Sequence, residues 1–84
     1  MIMALKEEIL EKIIQRAAEL FKKDTGELNT DTRFVEDLKA KSVNLVQIIA
    51  VLEAEFDVEI NFMEFRRKKT FGEAAEFVAA LCGE

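Results

Sequence analysis

At 84 residues the chain has the length of one small domain, 1–84, and half of it is hydrophobic, enough for a core without metal or disulfide. A net charge of −5 sets it against nucleic-acid binding, which needs a basic face for phosphates. With no histidine, His-based acid–base catalysis and His-ligated metal sites are excluded, and with Cys82 as the single cysteine no intramolecular disulfide can form.

There is no proline and there are three glycines. Leucine, alanine, glutamate and lysine are frequent, so an all-α fold is expected. Met1-Ile2-Met3-Ala4-Leu5 is too short for a signal peptide, and no apolar run reaches membrane-spanning length. A cytoplasmic monomer without membrane insertion is the expectation, and a lone cysteine fits a reducing compartment.

The first helix is predicted from about Met3 to Lys22. Leu5, Ile9, Ile13, Ala17 and Leu20 recur at helical spacing, with Leu10, Ile14 and Phe21 widening the stripe. Glu8 and Lys12 sit at i, i+4 and should pair weakly. Gly26 offers a positive φ to end the segment. A long connection then runs to Lys41. Leu28, Phe34, Val35 and Leu38 should pin it to the core. Asn29-Thr30-Asp31-Thr32 supplies turn and capping chemistry, and a single helical turn fits Arg33–Asp37.

Next comes an apolar run predicted as a helix from Ser42 to Phe56. Leu45, Ile48, Ile49, Leu52 and Phe56 share one face, a core stripe. Val43, Val46, Gln47, Ala50 and Ala54 share the other, where a surface helix normally carries charge. Such a helix is either covered all round or keeps its second face for a partner. Ser42 opens it, which is the usual place for an N-cap serine. Ile60 should turn inward after the helix, and Phe62–Arg67 fits a short third helix. Arg66, Arg67, Lys68 and Lys69 form a basic block, either a solvated turn or a partner contact. Thr70 and Glu73 form a capping box for a last helix with Phe71, Ala74, Ala75, Phe77, Val78 and Leu81, stopping at Gly83. The expected architecture is a small four-helix bundle of three main helices and one short one.

No nucleophile–base pair is available to Ser42, because Lys41 is only a sequence neighbour. The acids lack calcium-loop spacing, and the glycines form no phosphate cradle. A stand-alone enzyme is not expected.

Several separated blocks together resemble the acyl carrier protein family. They are Phe34, Asp37 and Leu38; then Ser42-Val43; then Leu52-Glu53-Ala54-Glu55-Phe56; then Phe71-Gly72-Glu73-Ala74. The resemblance runs from about Ile9 to Val78. It implies a 4′-phosphopantetheine arm on Ser42, attached from coenzyme A by a phosphopantetheinyl transferase. The arm's thiol would hold an acyl or aminoacyl group as a thioester for acyl-loading and acyl-processing enzymes of fatty-acid, lipid or secondary-metabolite biosynthesis. The alternative is a carrier-like interaction module that never carries an arm.

The chain departs from the family pattern at several places. Lys41 replaces the aspartate before the serine. Asn44, Gln47 and Ala54 stand where acids are common, which thins the acidic docking face to Glu53, Glu55 and Asp57. Phe65 and Lys68 replace a small and an aliphatic residue, leaving little room to bury a long cargo. The expected docking surface is therefore largely apolar: Val43, Val46, Gln47, Ala50, Phe62 and Met63, with Glu53 and Arg66 at its rim. No metal ligand or catalytic residue is assigned.

Overall fold

Helix α1, Leu5–Phe21, places Ile9, Ile13 and Ala17 on one fully buried face, as their spacing dictates. The structure, a computed structural model, describes residues 4–83. Met3, at the expected start of α1, lies outside them. A 3₁₀ turn at Thr25–Glu27 follows, then the five-residue helix α2 (Phe34–Leu38), α3 (Ser42–Phe56), the five-residue α4 (Phe62–Arg66) and α5 (Phe71–Leu81). The described residues are thus all-α: three long helices form the bundle, with two short ones in the connections. The first short helix, α2, is the turn expected at Arg33–Asp37. α1 packs chiefly on α5 and then on α3, and α4 packs on α3.

Three helix ends depart from glycine chemistry. α1 closes on Lys22, φ 54°, rather than on Gly26, which sits in the 3₁₀ turn. The Lys23 N–H reaches the Ala18 carbonyl at 3.0 Å, so the helix is already capped before Gly26. Lys39 ends α2 at φ 56° and Asp57 ends α3 at φ 53°. A side chain in this left-handed region costs roughly 1–2 kcal/mol per residue. Gly83, φ 90°, lies past the end of α5, where the stop was expected. The surface pair Glu8–Lys12 does not form. Lys12 Nζ instead lies 3.9 Å from Glu55 Oε1 on α3, an exposed pair of ~0–1 kcal/mol.

The connection from α1 to α3 is tied down at its middle. Arg33 and Thr70 form an isolated antiparallel bridge. Phe34 N–H donates to the Lys69 carbonyl at 3.1 Å, Phe71 N–H to that of Thr32 at 2.9 Å, and Gly72 N–H to that of Thr30 at 2.8 Å. The buried Phe34 ring sits 4.8 Å from the Phe71 centroid and 5.7 Å from that of Phe65. Leu28 is buried and Leu38 half-buried, as expected. Val35 is not: in a helical turn it is rotated about 100° from the buried Phe34, and it is 61% exposed. Leu81, expected on the inner stripe of α5, is likewise exposed, in the last turn.

Gly72 is required by this tie. A Cβ there would stand 2.1 Å from Thr30 Oγ1 and 3.0 Å from the Thr30 carbonyl oxygen. The hydroxyl can rotate away, but the carbonyl is held by its bond to Gly72 N–H. Gly72→Ala should therefore destabilise by about 1–3 kcal/mol despite alanine's better helix propensity, lowering the midpoint of thermal unfolding by roughly 4 °C or more per kcal/mol. Gly26→Ala, with open space around its Cβ, should change the midpoint little. Thr30→Ala keeps that carbonyl and should leave most of the Gly72→Ala loss in place in a double-mutant cycle, and full recovery would put the clash at the hydroxyl instead.

Candidate functional site

Ser42 is the first helical residue of α3 rather than its cap. Lys41 is the N-cap, with extended φ −105° and ψ 168°. The N-cap expectation for the serine is thus corrected by one residue. Lys41 has no acceptor in its side chain. The Asn44 carbonyl oxygen of the side chain instead accepts the Lys41 N–H at 2.9 Å and fixes the entry angle of the chain. The Asn44 and Leu45 N–H groups reach the Lys41 carbonyl at 2.9 and 3.2 Å. The Ser42 and Val43 N–H groups have no protein acceptor among the described residues, as expected for the first turn of a helix. The Ser42 side chain is exposed, and its hydroxyl makes no hydrogen bond among the described residues.

The platform before the serine is α2. The Asp37 carboxylate accepts the Arg33 N–H at 2.8 Å and the Arg33 guanidinium at 3.3 Å. Arg33 also pairs with Glu36. This clamp closes α2 from outside while Phe34 holds it from inside. The Arg33 N–H, and after it the guanidinium, keep the Asp37 carboxyl below the usual carboxylate range.

The second face of α3 is open. Val43 is 60% exposed and Val46 51%, with Ala50 exposed and Gln47 half-buried beside them. On α4, Met63 is 50% exposed and Phe62 half-buried. Arg66 is exposed and has no carboxylate within ion-pair distance among the described residues. Glu53 has a structural task, because its Oε2 accepts the Ile60 N–H at 2.9 Å and folds the α3–α4 connection inward. Ile60 is buried, as expected. Phe65 is fully buried in the aromatic cluster with Phe34 and Phe71. The Lys68 ammonium lies 5.1 Å from the Phe77 ring centroid, turned onto α5. The described residues hold no cluster of His, Cys, Asp and Glu fit for a metal, and no helix is long and apolar enough to cross a membrane.

This architecture of three long helices recurs in known proteins. A family defined as the phosphopantetheine attachment site matches residues 11–78. The acyl carrier protein of Rickettsia canadensis is 34% identical over 77 residues, covering 92% of this chain and 90% of that one. The chain belongs to the acyl carrier protein family. That of Rickettsia prowazekii matches with the same identity and coverage, 34% over 77 residues. The solved acyl carrier protein of Enterococcus faecalis superposes with a TM-score of 0.75, at 23% identity, over 93% of this chain and 99% of that one. This last likeness carries the fold. As a member of the family the chain is a carrier and not a catalyst, and its cofactor is 4′-phosphopantetheine.

The residues that set the presenting geometry were harder to read in the sequence than the serine. Asn44 and Asp37 work through backbone N–H groups three and four positions upstream, and Glu53 works seven positions downstream. Only the Lys41–Asn44 spacing carries a local signal, that of half a capping box.

The Asp37 clamp gives α2 a pH dependence. A carboxyl whose folded pKa is depressed contributes fully above its unfolded value of about 4 and loses that contribution as pH falls through the lowered one. The Arg33 amide resonance should therefore move with a midpoint below pH ~4, and the step should vanish in Asp37→Asn. A midpoint at the ordinary carboxylate value would contradict the clamp.

Proposed function

We propose that Ser42 is the attachment point of the phosphopantetheine arm and that the chain presents acyl thioesters to partner enzymes of fatty-acid, lipid or secondary-metabolite biosynthesis in the cytoplasm. The observation that carries this reading is the exposed Ser42 hydroxyl, uncommitted to any internal hydrogen bond, at the first position of α3 within the matched stretch 11–78. In the loading step, Ser42 Oγ attacks the phosphorus of coenzyme A that bears the pantetheine. A P–O bond forms to serine, the pyrophosphate P–O bond breaks, and adenosine 3′,5′-bisphosphate leaves. The hydroxyl proton passes to a base of the phosphopantetheinyl transferase, since this chain places none beside Ser42. The open N–H groups of Ser42 and Val43 and the positive end of α3 would hold the product phosphate. Lys41 adds a cation next to it.

Docking of the transferase and of acyl-loading and acyl-processing enzymes is assigned to Val43, Val46, Gln47 and Ala50 of α3 and to Phe62, Met63 and Arg66 of α4, with Glu53 at the edge. Burying such side chains contributes about 25 cal/mol per Å², whereas exposed ion pairs contribute ~0–1 kcal/mol and are screened by salt. Affinity for partners should therefore fall little between low and high ionic strength. A collapse with added salt would favour an ion-pair interface.

Incubation with coenzyme A and a broad-specificity transferase should add the mass of one phosphopantetheine to the wild type and none to Ser42→Ala. The modified form should melt a few degrees higher, because a phosphate at a helix N-terminus contributes about 0.3–1 kcal/mol. Lys41→Asp should speed loading by transferases that serve acidic carriers, through restored charge complementarity. A wild type that gains no mass with several transferases would instead be an interaction module without an arm.

A further inference from the structure

The outer face of α2 is used neither by the core nor by the Arg33 clamp. Val35 is 61% exposed on it. Lys39, whose N–H donates to the Val35 carbonyl at 2.9 Å, follows one turn on and is exposed. Across a recess from Val35 stand Arg66 and Lys69, both exposed. The bond from Phe34 N–H to the Lys69 carbonyl, 3.1 Å, holds the two backbones side by side there. The acids of this region are already engaged. Glu36 and Asp37 pair with Arg33, and Glu73 accepts the Lys69 N–H at 3.1 Å. Lys39, Arg66 and Lys69 have no carboxylate within ion-pair distance among the described residues. Three unpaired cations thus border one exposed valine, on a chain whose net charge is −5.

Charge and apolar area together select the occupant. An uncompensated cation cluster attracts carboxylates and repels ammonium groups, and at physiological salt that field reaches about 8–10 Å. Nucleic acid is disfavoured by the acidic remainder of the chain. A lipid surface requires a broad apolar face to sink among the headgroups, and α2 offers five residues with one exposed apolar side chain. A protein surface requires less: one apolar side chain to cover Val35, with carboxylates set around it. We propose that the outer face of α2, together with Arg66 and Lys69, is a second docking surface, selective for a partner protein whose contact face carries carboxylates around an apolar side chain. Arg66 is common to this surface and to the apolar one assigned to α3 and α4. The α3 face offers chiefly apolar area to a partner, whereas the α2 face sorts partners by charge.

The probes are two amphipathic peptides of equal length and identical leucine spacing, one with glutamate and the other with lysine at every polar position. Each is titrated into the full, unmodified chain and followed by amide chemical shifts, so every outcome is independent of whether Ser42 accepts an arm. The glutamate peptide should shift the Val35, Lys39, Arg66 and Lys69 amides. It should bind roughly ten-fold more tightly than the lysine peptide, as three exposed cations turn from attraction to repulsion. Arg66→Glu with Lys69→Glu should reverse the order of the two peptides. Val35→Ser should weaken the glutamate peptide several-fold and keep the order, through lost apolar area. High salt should bring the two affinities together in the wild type, a check that needs no substitution. Vesicles of phosphatidylglycerol, the lipid probe, should leave the four amides in place. Equal affinities at low salt, shifts confined to Val43, Val46 and Met63, or binding of neither peptide overturn the proposal. Vesicles that shift the four amides more than the glutamate peptide does would overturn it in favour of a lipid surface.

Discussion

The close approach of Gly72 to Thr30 is the constraint on which the presentation of Ser42 depends. The connection from α1 to α3 is long for a domain of this size, and loops of such length are mobile unless their own residues tie them down. Here three backbone hydrogen bonds run between Thr30–Phe34 and Lys69–Gly72. The one from Gly72 to Thr30 is as close as it is because position 72 has no Cβ. The tie in turn drops Phe34 between Phe65 and Phe71, so α2 is fixed from below by three phenyl rings. The start of α3 inherits its position from α2 through three residues, Lys39 to Lys41. Ser42 therefore needs no interaction of its own to be held in place, and its hydroxyl stays available.

Charge is divided along the same lines. Four carboxylates near the site are occupied internally. Asp37 clamps α2, Glu36 pairs with Arg33, Glu53 folds the α3–α4 connection and Glu55 meets Lys12. The cations are not: Lys39, Lys41, Arg66 and Lys69 are exposed, with no carboxylate in ion-pair range among the described residues. A chain of net charge −5 thus shows a locally basic surface around its serine. Screening over about 8–10 Å at physiological salt makes that local sign, rather than the net charge, what a partner meets on contact.

The long helices were legible because their apolar residues keep a 3.6 period over three to five turns. Ile9, Ile13 and Ala17, and Leu45, Ile48, Ile49 and Leu52, are buried where the spacing places them. The Thr70–Glu73 box was legible too, although Glu73 reaches the Lys69 N–H, one residue before the cap. The bridge between Arg33 and Thr70 was not, since it joins residues 37 apart and neither has strand patterning. Val35 was misjudged because apolar character alone does not say which side of a single helical turn faces the core. Gly26 misled for a related reason: tertiary packing let α1 end on Lys22, so the flexible residue was not where the strained φ was needed. For the proposed site, Ser42 stood out in the sequence through its neighbourhood of spaced blocks. The side chains that orient it act on backbone groups and leave almost no trace in residue type.

The choice of Lys41 as N-cap shows how stability and carrier function meet at one residue. Asparagine, aspartate or serine there would accept an N–H of the first turn, and lacking such a cap costs typically about 1 kcal/mol. Asn44 does not make good the loss, because it binds the N–H of Lys41 itself and not one from the first turn. Had Ser42 been the cap, its oxygen would have filled the acceptor role, but a cap oxygen bound to N–H groups of its own helix is poorly placed to attack phosphorus. Placing the serine one position later frees its oxygen and leaves the Ser42 and Val43 N–H groups to water. On the carrier reading, the phosphate attached to that oxygen becomes the acceptor the helix lacks, with Lys41 beside it as counter-ion. On that reading the unmodified protein gives up part of a helix cap, and the modified one regains it through the arm.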